Sequence, residues 1–464
     1  MLGSSNPPIR NHYETGRGVH AQRATALDGH TRRIGLLRFG VILVVLAAVV
    51  ALFWYGLPAD RFLLLGVLVL VFASLVLVQG NLELARERSL AGERFHARGL
   101  DRLEGRAKPG SLVELLDATH TRFGSVRLAA LLEAGVEPLE VVRARQEAVR
   151  ELASRFSFRE RFAIAGGSLP VDTSGLLAWA EAPGWRGAGE GATPLSWVLP
   201  LMSVALFVFA PSFGEPRVLA VIPVLLGLAV LTSVGFKVES MKSTVSAFDQ
   251  DFAATRALVA ALQAEPFTAP LLRQLAGRIA ATDASVELGR LAALLRFFEG
   301  RKHPLFRAFV APVLLWDYHL GRMLNDWRKR SGGHVRGWLE AVAEFEALVS
   351  LAQFAFEHSD ATFPELTDAD RVEAQALRDP LSPGVPYDLS LAPGAQGVGL
   401  HPSLATGNSN LARALASSCA LARAGAPVLA TRFVLGPLRL AAITGTEGAP
   451  VGDSTRLSRE FDAL

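Results

Sequence analysis

The chain has 464 residues, enough for two or three ordinary domains, and 50% of them are hydrophobic, which is high for a globular protein. Its formal net charge of +3 is too small to indicate a protein that binds nucleic acid through its overall charge. The single cysteine, Cys419, excludes an intramolecular disulfide and fits a reducing compartment.

An arginine-rich segment, residues 1–33, opens the chain and is predicted to be a flexible basic tail. Two apolar runs follow, at 39–57 and 62–78, separated by the turn sequence PADR. Each run is close to the roughly 20 apolar residues that cross a bilayer core of about 30 Å, and neither contains an ionised side chain. The pattern therefore predicts a transmembrane helical hairpin over residues 34–80.

A second apolar pair, joined across the sequence GEPR, predicts another transmembrane hairpin over residues 195–236. Its prolines, Pro200 and Pro223, are tolerated in lipid. Because lysine and arginine flank the hairpins more than their turns, the positive-inside rule places both termini and the long segments in the cytoplasm. We therefore expect a multi-pass protein of the inner (cytoplasmic) membrane that contacts membrane lipid. The alternative is that these runs are core helices of a soluble protein.

Amphipathic helices are predicted for the long segments on either side of the second hairpin. Residues 81–194 and 237–370 are dense in Leu, Ala, Arg and Glu, with apolar residues recurring every three and four positions. We interpret them as two parts of one helical core. The helical pattern breaks at ATFPELTDADR, and residues 371–464 contain the Pro, Gly and short apolar pieces typical of an α/β domain.

Side chains with catalytic or metal-binding chemistry cannot be grouped from spacing alone. The ten histidines are scattered, without an HExxH or similar ligand pair, so we interpret each as a surface or capping residue and predict no metal site. Most acidic residues alternate with arginine at helical spacing, which is typical of a solvated face. No nucleophile, base and orienting group can be assembled, so no catalytic residue is predicted.

The sequence PSLATGNS, residues 402–409, has the frame of a phosphate-binding loop that leads into a helix. In GxxxxGK[ST], backbone N–H groups surround phosphate, the lysine reaches the β and γ phosphates, and the hydroxyl binds Mg²⁺. Gly407 and Ser409 occupy the second glycine and hydroxyl positions, whereas Pro402 and Asn408 replace the first glycine and the lysine. Losing a charged hydrogen bond of about 1.5 to 3 kcal/mol predicts weak phosphate binding. The alternative is an ordinary helix N-terminus capped by Ser or Asn.

Three helical motifs stand in a characteristic order before this loop. They are GSLVELLDATHTRFGSVRLAALL from Gly110, RARQEAVREL from Arg143, and the long segment from Leu314, after which FPEL follows at Phe363. This order resembles the MutS family of DNA mismatch-repair ATPases, in particular its membrane-anchored bacterial branch, and implies that 237–370 contains a lever-like part of the core. The matching positions include Leu115, Leu116, Asp117, Thr121, Gly124, Arg127, Trp316, Asp317, Trp327, Trp338, Glu346, Ala347, Leu348, Ser350 and Leu351.

The resemblance continues through the degenerate loop. The loop and its helix stand where the family has its phosphate loop, with Arg413 and the run AGAPV at 424–428 in register. The residues that bind phosphate in the family are the ones that differ here. The resemblance implies a degenerate nucleotide site at Gly407, Asn408, Ser409 and Asn410.

A last segment, GDSTRLSREF from Gly452, resembles the part of the family that reaches a dimer partner's nucleotide. Arg456 stands in place of the family's aromatic residue, and the chain ends at Leu464, before the place of the family's acidic Mg²⁺-binding strand and later catalytic histidine. ATP and Mg²⁺ are therefore cofactors by resemblance only. The segment offers three candidates for completing a partner's site, Ser454, Thr455 and Glu460.

Together these patterns predict a mainly α fold with two transmembrane helical hairpins, a MutS-core-like helical domain and a partial P-loop α/β domain at the C-terminus. The implied function is that of a membrane-anchored pseudo-ATPase, a scaffold or trans-acting partner that forms a homodimer or a heterodimer with an intact MutS-like protein. The alternative is an ATP-binding, DNA-associated MutS-type protein tethered to the membrane. A third interpretation is a decaying gene product with an incomplete parallel sheet whose C-terminal tail does not fold.

Overall fold

Helices form most of the chain, with one small mixed β-sheet near the C-terminus. The computed structural model describes residues 7–55, 60–106, 109–167, 172–183, 193–214, 216–227, 229, 249–299, 311–382, 384–391 and 405–437. The main helices of this part are α1 (Pro7–Tyr55), α2 (Asp60–Leu103), α3 (Leu112–Leu116), α4 (Arg122–Glu133), α5 (Leu139–Ser154), α6 (Phe156–Gly166), α7 (Ser174–Glu181), α8 (Thr193–Phe209), α9 (Asp249–Gln263), α10 (Pro270–Ala280), α11 (Ala284–Glu299), α12 (Trp316–Glu357) and α13 (Ala405–Ala424). Short helical turns lie at Ala210–Phe213, Arg217–Ala220 and Ala311–Val313.

Local sequence signals account for several helix starts. Ser111 caps α3 by accepting the N–H of Glu114 at 3.2 Å, while the Glu114 carboxylate reaches back to the residue before the cap and accepts the N–H of Gly110 at 2.8 Å. Thr121 caps α4 in the same way through the N–H of Gly124, at 3.0 Å. Pro270 occupies the first position of α10, where its missing N–H costs nothing.

The 42-residue helix α12 is the centre of the fold. It packs against α4, α5, α7, α10 and α11, so both predicted parts of the helical core bury their apolar faces on the same helix. Two of its tryptophans are almost fully buried, and the indole N–H of each has a hydrogen-bond acceptor. Trp327 donates to the carbonyl of Glu287 at 2.9 Å, and Trp338 donates to Thr282 Oγ1 at 2.7 Å. One hydrophobic cluster continues from these helices into the sheet.

The sheet contains β1 (Glu365–Leu366), β2 (Val372–Leu377), β3 (Tyr387–Leu391) and β4 (Arg432–Leu435), in the order β1-β4-β2-β3. β1 and β4 are parallel, whereas β2 runs antiparallel to both of its neighbours. The incomplete parallel sheet that was expected is therefore a mixed sheet within the described residues. The predicted boundary at residue 370 also falls inside this unit, because β1 precedes it.

Helices α1 and α2 pack along one another, and their ends near Tyr13 and Leu100 are attached to the helical body. Tyr13, Ile9 and Leu100 form a small apolar cluster with Phe156 and Phe356, among other partly buried residues. Residues 7–33 are thus part of a helix that packs on its neighbours, which differs from the flexible tail predicted for residues 1–33.

A buried polar network reinforces this attachment. Arg102 binds Glu357 in a bidentate ion pair, with Nε to Oε2 and Nη2 to Oε1 both at 2.8 Å. The Tyr13 hydroxyl donates to the same carboxylate at 3.0 Å, and Gln353 Nε2 donates to it at 2.7 Å. Burial alone would raise the pKa of Glu357, but the charge and hydrogen bonds of Arg102 lower it. Removing Arg102 would leave the buried Glu357 carboxylate without its counter-charge.

The predicted transmembrane hairpins over 34–80 and 195–236 are wrong, and so is the predicted multi-pass location in the inner membrane. Among the helices that the structure describes, none has both the length and the apolar character needed to span a membrane. Residues 39–55 of the first apolar run, and all of the run at 62–78, belong to helices of 49 and 44 residues whose remaining parts carry many charges. In the second region, α8 has 17 residues with Pro200 inside it and gives way to the turn at Ala210–Phe213.

Candidate functional site

The residues predicted to form the degenerate nucleotide site lie together at the beginning of α13. The helix begins at Ala405, so its first two turns contain Gly407, Asn408, Ser409 and Asn410. The first four N–H groups of a helix have no intrahelical partner and favour a negative ligand. Pro402, at the start of the loop, lies outside the described residues.

The side chain of Asn410 accepts a hydrogen bond from the neighbouring Arg413. Arg413 donates from Nη2 to Oδ1 of Asn410 at 3.1 Å, and its Nε pairs with the carboxylate of Asp379. Asp379 is buried and also accepts the N–H of Leu381 at 2.9 Å. Because Arg413 is committed to this carboxylate, it is a poor substitute for the lysine that Asn408 replaces.

The C-terminal end of α13 packs closely against the backbone of α5. Gly425 has a φ of +88°, its N–H donates to the carbonyl of Ala422 at 3.1 Å, and the N–H of Ala426 donates to Leu421 at 2.8 Å, which is a Schellman turn. A Cβ at Gly425 would lie 2.6 Å from the Cβ of Arg145. Glycine is therefore required both by the turn and by the close approach of the two helices.

Helix α5 connects the helical body to the segment that enters the sheet. Gln146 donates from Nε2 to the carbonyl of Pro364 at 3.0 Å, and the guanidinium of Arg150 lies 4.2 Å from the ring centroid of Phe363. Three apolar residues of the same motif fill the core and are fully buried: Ala148, Val149 and Leu152. The motif RARQEAVREL is thus the junction between the two parts of the protein.

The second glutamate of this motif, Glu151, caps a different helix. The Glu151 carboxylate accepts the N–H of Thr268 at 2.9 Å and the N–H of Ala269, immediately before α10. Burial opposes ionisation of Glu151, but these backbone hydrogen bonds and the nearby Arg155 keep its pKa below the ordinary value. One helix therefore positions α10 through Glu151 and the sheet unit through Gln146.

Two further motifs of the MutS-like set contact each other. Glu346, on α12, accepts the N–H of His120 at 2.7 Å and the N–H of Thr121 at 3.1 Å, and it also accepts the Thr121 hydroxyl. A Cβ at Gly124 would overlap the Glu346 carboxylate. Ser350, one turn along α12, accepts the N–H of Ala118 at 3.2 Å. These contacts fix the start of α4 on α12.

Burial changes the pKa of the ionisable groups at this contact. It raises the pKa of Glu346 to about 7, in spite of the hydrogen bonds that favour the carboxylate. It also lowers the pKa of His120 to about 4. Both groups lie in the core and not in a cleft, so we interpret the shifts as a consequence of packing and not as a catalytic pair.

A groove of about 810 Å³ opens beside the junction, between α4, α5, α10 and the middle of α12. The charged side chains that line it are balanced in sign: Arg127, Arg145, Arg278, Glu140, Glu340 and Glu344. Arg127 pairs with Glu344 across it, and Arg145 pairs with Glu137, with Nη2 to Oε1 at 3.0 Å. A groove with balanced and largely paired charges has no evident preference for an anionic ligand.

Reasoning from spacing missed one group of side chains with metal-binding chemistry. His20, His96 and Glu160 come from α1, α2 and α6 and meet in space, although 140 and 64 residues separate the two histidines from the glutamate. His96 is 1% exposed, so it is neither a surface nor a capping residue. A signal exists in the sequence, because each histidine stands four residues after a glycine, in GRGVH at Gly16 and in GERFH at Gly92.

The predicted trans-site residues lie outside the described residues, so their placement stays a prediction: Ser454, Thr455 and Glu460. Comparison with protein-family models gave no match, and the search of curated proteins gave none either. The resemblance to the MutS family therefore rests on the order of motifs in this sequence, and the contacts among those motifs are a physical account of why the residues are there.

Proposed function

We propose that this chain works by association, as a MutS-like scaffold or trans-acting partner that does not hydrolyse ATP. The observation that carries the proposal is Asn408, a neutral residue in the first turn of α13 at the position where a phosphate loop has its lysine. Phosphoryl transfer depends on cations and Mg²⁺ that offset the charge developing on the transferred group. A loop without the lysine supplies little of that stabilisation.

The neighbouring cation does not compensate for the change. Arg413 lies five residues after Asn408 and is paired with the buried carboxylate of Asp379. A phosphate group that recruited Arg413 would leave Asp379 buried and without its cation, which is costly. The site is therefore unsuited to binding nucleotide through this arginine.

The rest of the C-terminal unit keeps the packing of a folded domain. Several residues of α13 are fully buried against the helical body: Ala414, Cys419, Leu421, Ala422 and Ala424. Gly425 and Gln146 add specific contacts at the same junction. This buried packing of the described C-terminal residues argues against the decaying tail considered above.

The partner that fits this proposal is a second copy of the chain or an intact MutS-like ATPase. Sedimentation velocity of the full chain at increasing concentration should show a reversible dimer, or a complex when an intact MutS-like ATPase is added. In that mixture the chain should change the partner's rate of ATP hydrolysis, and the Ser454→Ala, Glu460→Ala double variant should reduce the change. A monomer at every concentration, with no complex in the mixture, would refute the proposal.

A second candidate function is an ATP-binding, DNA-associated protein. It is favoured by the retained helix N-terminus, where Gly407 and Ser409 keep two positions of the phosphate loop. Nucleotide binding would raise the melting temperature in proportion to the logarithm of nucleotide concentration, and DNA binding would weaken steeply with salt. Neither effect is expected if the chain acts through protein association alone.

A further inference from the structure

Two imidazoles from different helices converge on a single carboxylate oxygen. His20 Nε2, on α1, and His96 Nε2, on α2, each lie 2.9 Å from Oε1 of Glu160, on α6. The two ring centroids are 5.6 Å apart, and the three potential ligand atoms all lie within 4.8 Å of one another. The group therefore joins both helices of the α1–α2 pair to the helical body at one point.

Glycines on the opposite helix make room for both rings. A Cβ at Gly92, on α2, would lie 2.6 Å from the ring of His20, and a Cβ at Gly16, on α1, would overlap the ring of His96. Each helix thus contributes one histidine and one glycine, four residues apart, to the same contact. This reciprocal arrangement fixes where the two imidazoles can lie, as a ligand site requires.

The burial of His20, His96 and Glu160 is more typical of metal ligands than of ordinary surface residues. His96 is 1% exposed and His20 is 17% exposed, while the Glu160 side chain is 24% exposed and leaves the group accessible from one side. The Nδ1 atoms of both histidines are buried without a hydrogen-bond partner in the described structure, so each ring makes its polar contact only through Nε2.

We propose that His20, His96 and Glu160 form a binding site for a divalent first-row transition-metal ion, with Zn²⁺ as its typical occupant. Two imidazole nitrogens and one carboxylate oxygen are ligands for Zn²⁺ and its neighbours, whereas Mg²⁺ and Ca²⁺ prefer oxygen ligands alone. Each histidine nitrogen lies 2.9 Å from the Glu160 oxygen. If an ion lay about 2.0 to 2.1 Å from both atoms, the nitrogen–ion–oxygen angle would be about 90°. For each of these two nitrogen–oxygen pairs, a tetrahedral angle at the ion requires a separation larger by only about 0.4 Å.

The ion would crosslink α1, α2 and α6. Its three ligands come from three helices, so binding stabilises the arrangement in which the α1–α2 pair is docked on the body. The exposed side of Glu160 leaves at least one coordination position to solvent. This role is independent of the phosphate loop, because the site lies on the other helices of the molecule.

The test uses the full chain, stripped of metal with a chelator and titrated with Zn²⁺ by isothermal calorimetry in a buffer that does not bind metal. The expected result is one ion per chain, with an affinity that falls at least about tenfold in His20→Gln and in Glu160→Gln. His30→Gln is the matched control, since His30 is exposed on the same helix α1 and should bind as the natural chain does. Circular dichroism verifies that each variant keeps its helical content.

A second pair of variants tests the site without altering a ligand. Gly92→Ala should displace His20 and weaken Zn²⁺ binding, whereas Gly80→Ala, on the same helix with no atom within 4 Å of the added Cβ, should not. Substituting Co²⁺ should give visible absorption bands that are lost in His20→Gln. If the natural chain binds no Zn²⁺, or if His20→Gln and Glu160→Gln bind it as tightly as the natural chain, the proposal is wrong.

Discussion

Thr121, the residue that caps α4, donates its hydroxyl to the carboxylate of Glu346 in the middle of α12. The same carboxylate accepts the backbone N–H groups of His120 and Thr121, at 2.7 and 3.1 Å. A single buried acid therefore joins two sequence motifs that lie more than two hundred residues apart. The contact brings the two motifs together in the core, and it makes the first prediction possible.

Replacing Glu346 with glutamine should remove a pH dependence of stability. Burial raises the pKa of Glu346 from 4.5 to about 7, so the native state binds more protons than the unfolded state between these values. The free energy of unfolding of the natural chain should therefore fall by up to about 3 kcal/mol as the pH rises from about 4.5 to 7. Urea unfolding over this range should show a smaller loss in Glu346→Gln. Equal slopes in the two proteins would contradict the assignment.

Gly425→Ala should destabilise the junction between α13 and α5. The residue has a φ of +88°, and a Cβ would lie 2.6 Å from the Cβ of Arg145, so strain and overlap together should cost at least about 2 kcal/mol. Gly277→Ala is the matched control, because Gly277 lies on the exposed side of α10 with no atom within 4 Å, and it should stabilise by roughly 0.5 to 1 kcal/mol. Chemical denaturation of both variants gives the two values directly. A neutral Gly425→Ala would mean that α13 does not dock as described.

Cys419 offers a test of whether the C-terminal unit is folded in solution. Its side chain is 1% exposed, and burial raises the pKa of its thiol to about 12. Because it is the only cysteine in the chain, a thiol reagent reports on this position alone. Labelling of the native chain should be at least about a hundredfold slower than labelling in denaturant. Equally fast labelling in both conditions would support the decaying-tail interpretation.

Glu151→Ala should uncap α10. The carboxylate accepts two backbone N–H groups before that helix, from Thr268 and Ala269, so its loss should cost about 1 to 2 kcal/mol. Because the pKa of Glu151 is lowered in the folded state, its contribution is present near neutral pH and declines as the pH falls towards and below the ordinary carboxylate range. Glu147→Ala, an exposed change on the same helix α5, should stay within about 0.5 kcal/mol of the natural chain. Equal unfolding free energies for the two variants would count against the capping role.

Helical periodicity was a good guide where one face of a helix is buried. Leucine and alanine spacing predicted the helices around α4 and α5, whereas β1 at Glu365–Leu366 lies inside the Pro-containing segment that was predicted to be a loop. The apolar runs misled because a window of apolar residues does not reveal how far a helix extends. In α1 the apolar run continues a charged helix that begins at Pro7.

Contacts between residues that lie far apart in the sequence could not be predicted from it. Neither the His20–Glu160 contact nor the Thr121–Glu346 contact has a local spacing that identifies it, since long-range geometry brings the partners together. The repeated Gly-x-x-x-His pattern at Gly16 and Gly92 was visible, but it acquires meaning only when the two helices lie side by side. The capping residue Ser111, by contrast, is predictable because its partner is three residues away.

The most direct test of the proposed function is equilibrium binding of labelled ATP to the full chain and to its Pro402→Gly, Asn408→Lys double variant. Restoring the lysine adds a charged hydrogen bond of about 1.5 to 3 kcal/mol, so the variant should bind roughly 10 to 150 times more tightly than the natural chain. The account predicts negligible binding by the natural chain and measurable binding by the variant. Tight binding of ATP by the natural chain would contradict it and favour the nucleotide-binding alternative.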